Sequence, residues 1–314
     1  MTPIFYPNSV PHIGHLHPLV IAHILARYSH LKRPERPAHF MTGTDEHGLK
    51  IRKAAQTKGM ESLAFCDELS EHSRVSFFLR SQVHVFLYVH APKNLIRKAD
   101  ASATRFLRTS SKEHCDAVQH LWVGTRNEGS HLRGHHSGWY SVSDECFYPG
   151  LQVMMRSEPN RKEYHISTET GSHVEWMEKE SYKFRLSTSQ PAVRSHFATH
   201  EGAIYPLQRH VDILFVLSED SILEDLSVSR PRSWLTWSVP VPRDDNHTIY
   251  VWIDVYLSSI GYPWTANGGD GFRSGWLPNL RIIGKDILCF HVIYLPAMLA
   301  ALGLPFTERL LVHA

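Results

Sequence analysis

Apolar and polar positions alternate between two rhythms from the start of the chain. "TPIFY" is a short apolar run closed by Pro7 and Asn8, which predicts a buried strand. From Leu16 the apolar positions fall at Leu16, Leu19, Val20, Ile24, Tyr28 and Leu31, the spacing of one helix face. Pro18 is expected in the first turn of that helix, where its missing N–H costs nothing. "AHFMTGTDEHG" predicts a second strand running into a polar turn, and "LKIRKAAQTKGM" and "SLAFCDELSEHS" predict helices. Up to Val75 the order is therefore strand, helix, strand, helix, as in a parallel sheet with crossovers.

The rhythm then changes. Over residues 76–104, "VHVFLYVHAPKN" predicts a strand and a turn without an amphipathic plan. "SKEHCDAVQHLW" returns to helical spacing through Val118, Leu121 and Trp122. Residues 124–175 are rich in Gly, His, Ser and Tyr, which predicts a small irregular β-rich insertion. "ILFVLS" and "ESYKFRLS" fit strand or helix. After Asp225 the α/β order resumes. "HTIYVWID" predicts a strand, "LRIIGKDI" a strand then a turn, "FHVIYLPAMLAALG" a helix, and "RLLVHA" the start of a strand. The expected architecture is one parallel α/β domain in two halves, divided by the insertion.

Composition narrows the class without naming an activity. The 314 residues are 42% hydrophobic and 20% charged, typical of a globular protein large enough for a substantial core. No run of 18 apolar residues occurs, so no membrane span is expected. A net charge of +2 means that any nucleic-acid partner would be met by a local patch. Four cysteines, Cys66, Cys115, Cys146 and Cys289, are widely spaced with no C-x-x-C pair, which points to a reduced compartment. "MTPIFYPNSV" shows no charged-then-apolar signal and no Arg/Ser-rich amphipathic pattern, so no organelle address is expected within these residues.

The chemistry is suggested by "VPHIGHLHPL". His12 and His15 stand three apart around Gly14, at the mouth of the first predicted helix. The turn after a first parallel strand lies at the carboxyl edge, where such folds bind ligands. Helix N-termini attract phosphate, a glycine lets a flat base approach the backbone, and two imidazoles can donate to phosphate oxygens as charge builds up. An ordinary polar helix entrance would use the same residues. Asp45, at the end of the second strand, suits either an N-cap or a grip on an α-ammonium.

Seven ordered blocks carry a resemblance: "TPIFYPNSVPHIGHLHPLV", "FMTGTDEHGLKIRKAA", "GWYSVSDECFY", "TGSHVEWMEKESYKFRLS", "DLSVSRP", "YVWID" and "IIGKDILCFHVIYLPAMLAALGLP". The chain resembles the catalytic core of methionyl-tRNA synthetases, in their mitochondrial and bacterial-type branch, over residues 2–314 with a poor stretch at 76–104. The resemblance implies an α/β fold with a Rossmann-like parallel sheet split by a small β-rich connective insertion. The halves are expected at 1–110 and 188–314, with the insertion at 111–187. It implies activation of methionine by ATP to methionyl-adenylate and transfer to tRNA(Met). His12, Gly14, His15, Gly284, Lys285 and Asp286 would bind ATP, with the two histidines catalytic. Asp286 would hold the ribose hydroxyls, although Lys285 also fits a solvated charge. Ile4, Tyr6, Asp45, Trp252 and His291 would bind methionine, and His47 and Arg230 are possible substrate contacts. A thioether suits a flexible apolar slot with aromatic walls, while plain core packing would explain Trp252 as well. Mg²⁺ would arrive with ATP rather than in a protein cage.

Four departures qualify that expectation. The lysine-rich "KMSKS" loop and the anticodon-binding domain would follow "LVHA", where this chain ends. Ser259 and Leu295 replace a tyrosine and a tryptophan usual in the family. Residues 76–104 match badly, and a shifted frame or retained intron is one hypothesis, disposed of if transcript sequencing returns the same reading. The insertion holds Cys146 but no cysteine pair, so no structural zinc is expected. The expected partners are tRNA(Met), methionine and ATP, in the mitochondrial matrix or alternatively the cytoplasm. Competing readings are an inactive remnant that binds ATP or a partner, and another nucleotidyltransferase using the same histidine signature.

Overall fold

A computed structural model describes residues 1–7, 13–36, 38–78, 103–127, 129–141, 146–148, 150–157, 163–168, 170–218, 223–253, 255, 278–307 and 309–313. The expectations for His12, Ser259 and the strand at 83–94 lie outside the described residues.

Strands β1 (Ile4–Phe5), β2 (Met41–Thr44) and β3 (Arg105–Arg108) form a parallel sheet in the order β1-β2-β3. Helix α1 (Ile13–Lys32) crosses from β1 to β2, and α2 (Leu49–Thr57) and α3 (Ser62–Phe78) follow β2. Gly43 explains how closely β2 and β3 approach, since a Cβ there would lie 2.1 Å from the Leu107 carbonyl oxygen. Gly48 opens α2 at φ 106°, a conformation other residues adopt only under strain.

Helix α4 (Lys112–Asn127) leads into the insertion. There β4 (His131–Ser141), β5 (Cys146–Tyr148), β6 (Val153–Arg156), β7 (Tyr164–Ser167) and β8 (His173–Phe184) form an antiparallel sheet ordered β5-β4-β8-β7-β6. The far end of β8 ties this sheet to the main core. Phe184 is fully buried, and Tyr182 meets the buried Trp122 of α4 edge-on at 5.5 Å. Burying an indole of that size removes on the order of 200 Å² from water, an upper-bound gain of about 5 kcal/mol.

The chain then passes through α5 (Leu186–Thr199), β9 (Ile204–Tyr205) and α6 (Leu207–Val216). The short strands β10 (Leu226–Ser227), β11 (Ser229–Pro231), β12 (Pro240–Val241) and β13 (Asp244–Ile249) follow. Last come β14 (Arg281–Gly284), α7 (Leu295–Ala301) and β15 (Leu310–His313). β14, β15 and β9 form a second parallel sheet in that order. Residues 1 and 2 join the two parallel sheets, because Ile282 N–H donates to the Met1 carbonyl and Thr2 N–H to that of Met41. The combined order is β3-β2-β1-β14-β15-β9, which reverses direction between β1 and β14. That is the topological switch point of a Rossmann-like sheet.

Four local expectations are corrected. Pro18 is the sixth residue of α1, not in its first turn, so its ring removes the N–H that would have bonded to Gly14. The buried face of α1 is Pro18, Leu19 and Ala22, while Ile24, Tyr28 and Leu31 are 59%, 60% and 78% exposed. The periodicity placed a helix correctly, but the sheet selected a neighbouring face. "HTIYVWID" is a strand only to Ile249, and Val251–Ile253 coil into a helical turn. The helix expected at "FHVIYLPAMLAALG" opens with a π-helical segment, Phe290–Tyr294, before α7. One extra residue in that turn re-aims its side chains.

Candidate active site at the carboxyl edge of the sheet

β1 delivers its end to the switch point. Ile4 is buried beside Gly43, and the Asp45 N–H donates to the Phe5 carbonyl at 2.9 Å. Asp45 is thereby held one residue past β2, 2% exposed. His15, in the first turn of α1, sets its ring edge-on to Phe5 at 5.1 Å. Gly14 beside it is exposed. Tyr6 packs with Trp237 against the buried face of α2 and α3, and the Lys50 ammonium lies 5.4 Å over its ring. His15, Ile4, Tyr6 and Asp45 are therefore gathered at one edge by β1.

β14 arrives at the same edge from the other side. Gly284 ends the strand, and Lys285 and Asp286 follow in a 3-10 turn, exposed and paired with each other at 2.9 Å. Trp252, in the turn after β13, stacks on Phe290 with ring centres 3.8 Å apart and planes 13° from parallel. His291 is buried in the π-helical segment, where the Arg281 Nη1 donates to its Nδ1 at 3.4 Å. Burial, and then the Arg281 charge, push its imidazole down to about 3. Burial alone brings Arg281 down to about 9. At neutral pH the imidazole is uncharged with its proton on Nε2, which has no hydrogen-bond partner among the described residues.

Arg230 stands apart from this gathering. Its buried guanidinium lies 3.7 Å over the Tyr250 ring and donates to the Ser229 and Ser227 carbonyls and to the Ser227 hydroxyl. Phe147 of the insertion lies 5.6 Å away, so Arg230 bridges the insertion and the β11–β13 sheet. His47 is buried with its ring edge-on to Trp237 at 5.6 Å.

The residue that sequence reasoning passed over is Glu46. It is fully buried, and its carboxylate accepts from Arg108 Nε at 2.8 Å and Nη2 at 3.0 Å, a bidentate pair. Thr44 Oγ1 at 2.5 Å and the Ser70 and Ser110 hydroxyls also donate to it. Arg108 reaches on to Asp67 at 2.7 Å. Burial works against the guanidinium, but Glu46 and then Asp67 outweigh it and hold Arg108 above its ordinary value. Cys66 caps the cluster with Sγ 3.6 Å from the Glu46 carbonyl, and burial followed by the Glu46 charge raises its thiol to about 12. No local signal marks this cluster, because Glu46 and Arg108 are 62 positions apart. Among the described residues, no three His, Cys, Asp or Glu side chains gather as a metal site.

The geometry offers a buried carboxylate and a helix N-terminus tied to the same strand end by Phe5, at the switch point of a parallel sheet, with an aromatic pair and a neutral imidazole following β13 and β14. Comparison with known proteins agrees with it. The family model described as "tRNA synthetases class I (M)" matches residues 1–314. The mitochondrial methionine–tRNA ligase of Homo sapiens is 41% identical over all of this chain and 49% of its own length. The probable mitochondrial methionine–tRNA ligase of Schizosaccharomyces pombe is 39% identical, over all of this chain and 54% of its own length. The chain thus spans about half the length of these curated relatives. Mycobacterium tuberculosis methionyl-tRNA synthetase bound by methionyl-adenylate superposes at a TM-score of 0.85 and 31% identity, covering 99% of this chain and 56% of that one. Its apo form gives a TM-score of 0.72 at 28% identity, covering 99% and 55%.

Proposed function

Because the chain belongs to the class I (M) tRNA synthetases, we propose that it is the catalytic part of a methionine–tRNA ligase. It activates methionine with ATP and passes the methionyl group to tRNA(Met). The observation that carries this reading is that Phe5, at the end of β1 by the switch point with β14, both accepts from the Asp45 N–H and meets the His15 ring in the first turn of α1. In this reading residues 1–110 and 188–314 form the reacting domain, and 111–187 the connective insertion. The mitochondrial matrix is the proposed compartment, after the mitochondrial relatives.

The chemistry follows from the groups present. The Asp45 carboxylate, buried and fixed by β1, holds the α-ammonium and aims the methionine carboxylate at the α-phosphorus of ATP. The carboxylate oxygen attacks in line, the α-phosphorus–oxygen bond to the leaving group breaks, and pyrophosphate departs. His12 and His15, with the α1 N–H groups, donate to phosphate oxygens that gain charge in the transition state. Gly14 and Gly284 leave room for adenine and ribose, and Asp286 accepts from the ribose hydroxyls once it turns from Lys285. Mg²⁺ enters with the ATP phosphates. Ile4, Tyr6, Trp252 and His291 line the thioether slot, where the uncharged His291 offers its Nε2–H to sulfur. His47 acts through the Trp237 contact, and Arg230 through the aromatic box that joins the insertion to the domain.

The test is methionine-dependent ATP–pyrophosphate exchange. Exchange that requires methionine and falls when leucine replaces it supports the reading. Binding of ATP with no effect of methionine on either binding or exchange overturns it.

A further inference from the structure

We propose that Glu46 is a positioning residue for the amino-acid site, its carboxylate fixing the Asp45–His47 turn against which the methionine ammonium is held. The inference rests on the methionine–tRNA ligase reading above.

Five donors converge on this one carboxylate: Thr44, Ser70, Ser110 and two from Arg108. They come from β2, α3, β3 and the turn after it, so three first-half elements and one turn share one charge. The peptides on either side are pinned as well. Thr109 N–H donates to the Thr44 carbonyl, Phe5 accepts from Asp45 N–H, and Thr109 Oγ1 accepts from Glu46 N–H at 2.9 Å. From the second half of the chain, Trp237 donates its Nε1–H to the Glu46 carbonyl at 2.5 Å and accepts from Gly48 N–H at 3.1 Å. Thr44, Asp45, Glu46 and Gly48 each have a backbone group with a partner outside the turn, and the Glu46 carboxylate adds a charged anchor. A fully satisfied buried network of this kind is rigid. Asp45 is the neighbouring residue, so any rotation of Glu46 is transmitted to it through one peptide bond. Glutamine cannot substitute, because its amide N–H₂ would face the Arg108 or Ser110 donors.

Equilibrium dialysis with labelled methionine, and separately with labelled ATP, tests the proposal on the unmodified chain and on Glu46→Gln and Ser110→Ala. Methionine affinity should fall roughly tenfold in Glu46→Gln and about threefold in Ser110→Ala, with ATP affinity within about twofold throughout. A purely structural role would lower the melting temperature and leave both affinities of the folded protein unmoved. Unchanged methionine affinity in the variants, or equal losses for methionine and ATP, overturns the proposal alone. If the unmodified chain binds no methionine, the functional reading falls and takes the proposal with it. Should Glu46→Gln fail to fold, Ser110→Ala, which leaves the Glu46–Arg108 pair intact, decides by the same criteria.

Discussion

Acid should weaken this fold through His291 in a way that one substitution isolates. The imidazole is buried against Arg281 and carries an ordinary value of 6.5 when unfolded, against about 3 when folded. Between those values the unfolded chain binds a proton that the native chain refuses. More protons on the unfolded state means that stability rises with pH. The contribution is complete above pH 6.5 and drains away as pH falls towards 3. Relative to pH 7.5, the linkage gives a loss of roughly 1.4 kcal/mol at pH 5.5 and about 2.6 kcal/mol at pH 4.5, to order of magnitude. Arg281 stays charged over that range, with its value near 9, and does not add to the slope. Urea denaturation of the unmodified chain and of His291→Gln, at those three pH values, gives the measurement. Other acid-sensitive groups, including His196 with its value near 4, contribute to both proteins and cancel in the difference. The stability difference between the two should therefore shrink by about those amounts on acidification. A difference that stays constant from pH 7.5 to 4.5 would mean that the imidazole is not excluded from protons in the folded protein, and the reasoning fails.

Three further outcomes are expected. Asp45→Asn should cost methionine at least about tenfold in affinity by dialysis and leave ATP binding within about twofold, since only the ammonium contact loses its charge; equal losses would place Asp45 elsewhere. Gly43→Ala should lower stability by about 3 kcal/mol or more in thermal melts, because its Cβ would stand 2.1 Å from the Leu107 carbonyl oxygen. In the native protein at pH 8, a maleimide should label the exposed Cys289 and spare Cys66 until the chain is unfolded, since the Cys66 thiol is buried with its value near 12; peptide mapping of the labelled sites checks this.

Much of the architecture was legible in hydrophobic spacing and punctuation. "TPIFY", "HFMTGT", "LRIIG" and "RLLVH" hold four of the six parallel strands, because short apolar runs, the first three closed by Pro, Asp or Gly, do not need tertiary help to be recognised; β3 and β9 are not among them. The motif order likewise placed the chain in its family, and the family match spans the same residues. Spacing was less able to choose faces. The Ile24–Tyr28–Leu31 stripe of α1 obeys a helix period yet is exposed, because the sheet packs on Pro18, Leu19 and Ala22 instead. Strand β13 stops at Ile249 although its apolar run continues, since nothing local distinguishes a buried strand from a buried helical turn.

The sequence by itself therefore determined four of the six parallel strands, most of the helices and the family to which the chain belongs. Only the tertiary structure decided that β1 and β14 lie side by side, 277 positions apart from Ile4 to Arg281, and that Glu46 meets Arg108 across 62. The physical reason is range. Propensity and periodicity act within a few residues, whereas a buried carboxylate is stable only where donors from separate elements surround it, and such donors are assembled by the packing of the sheet.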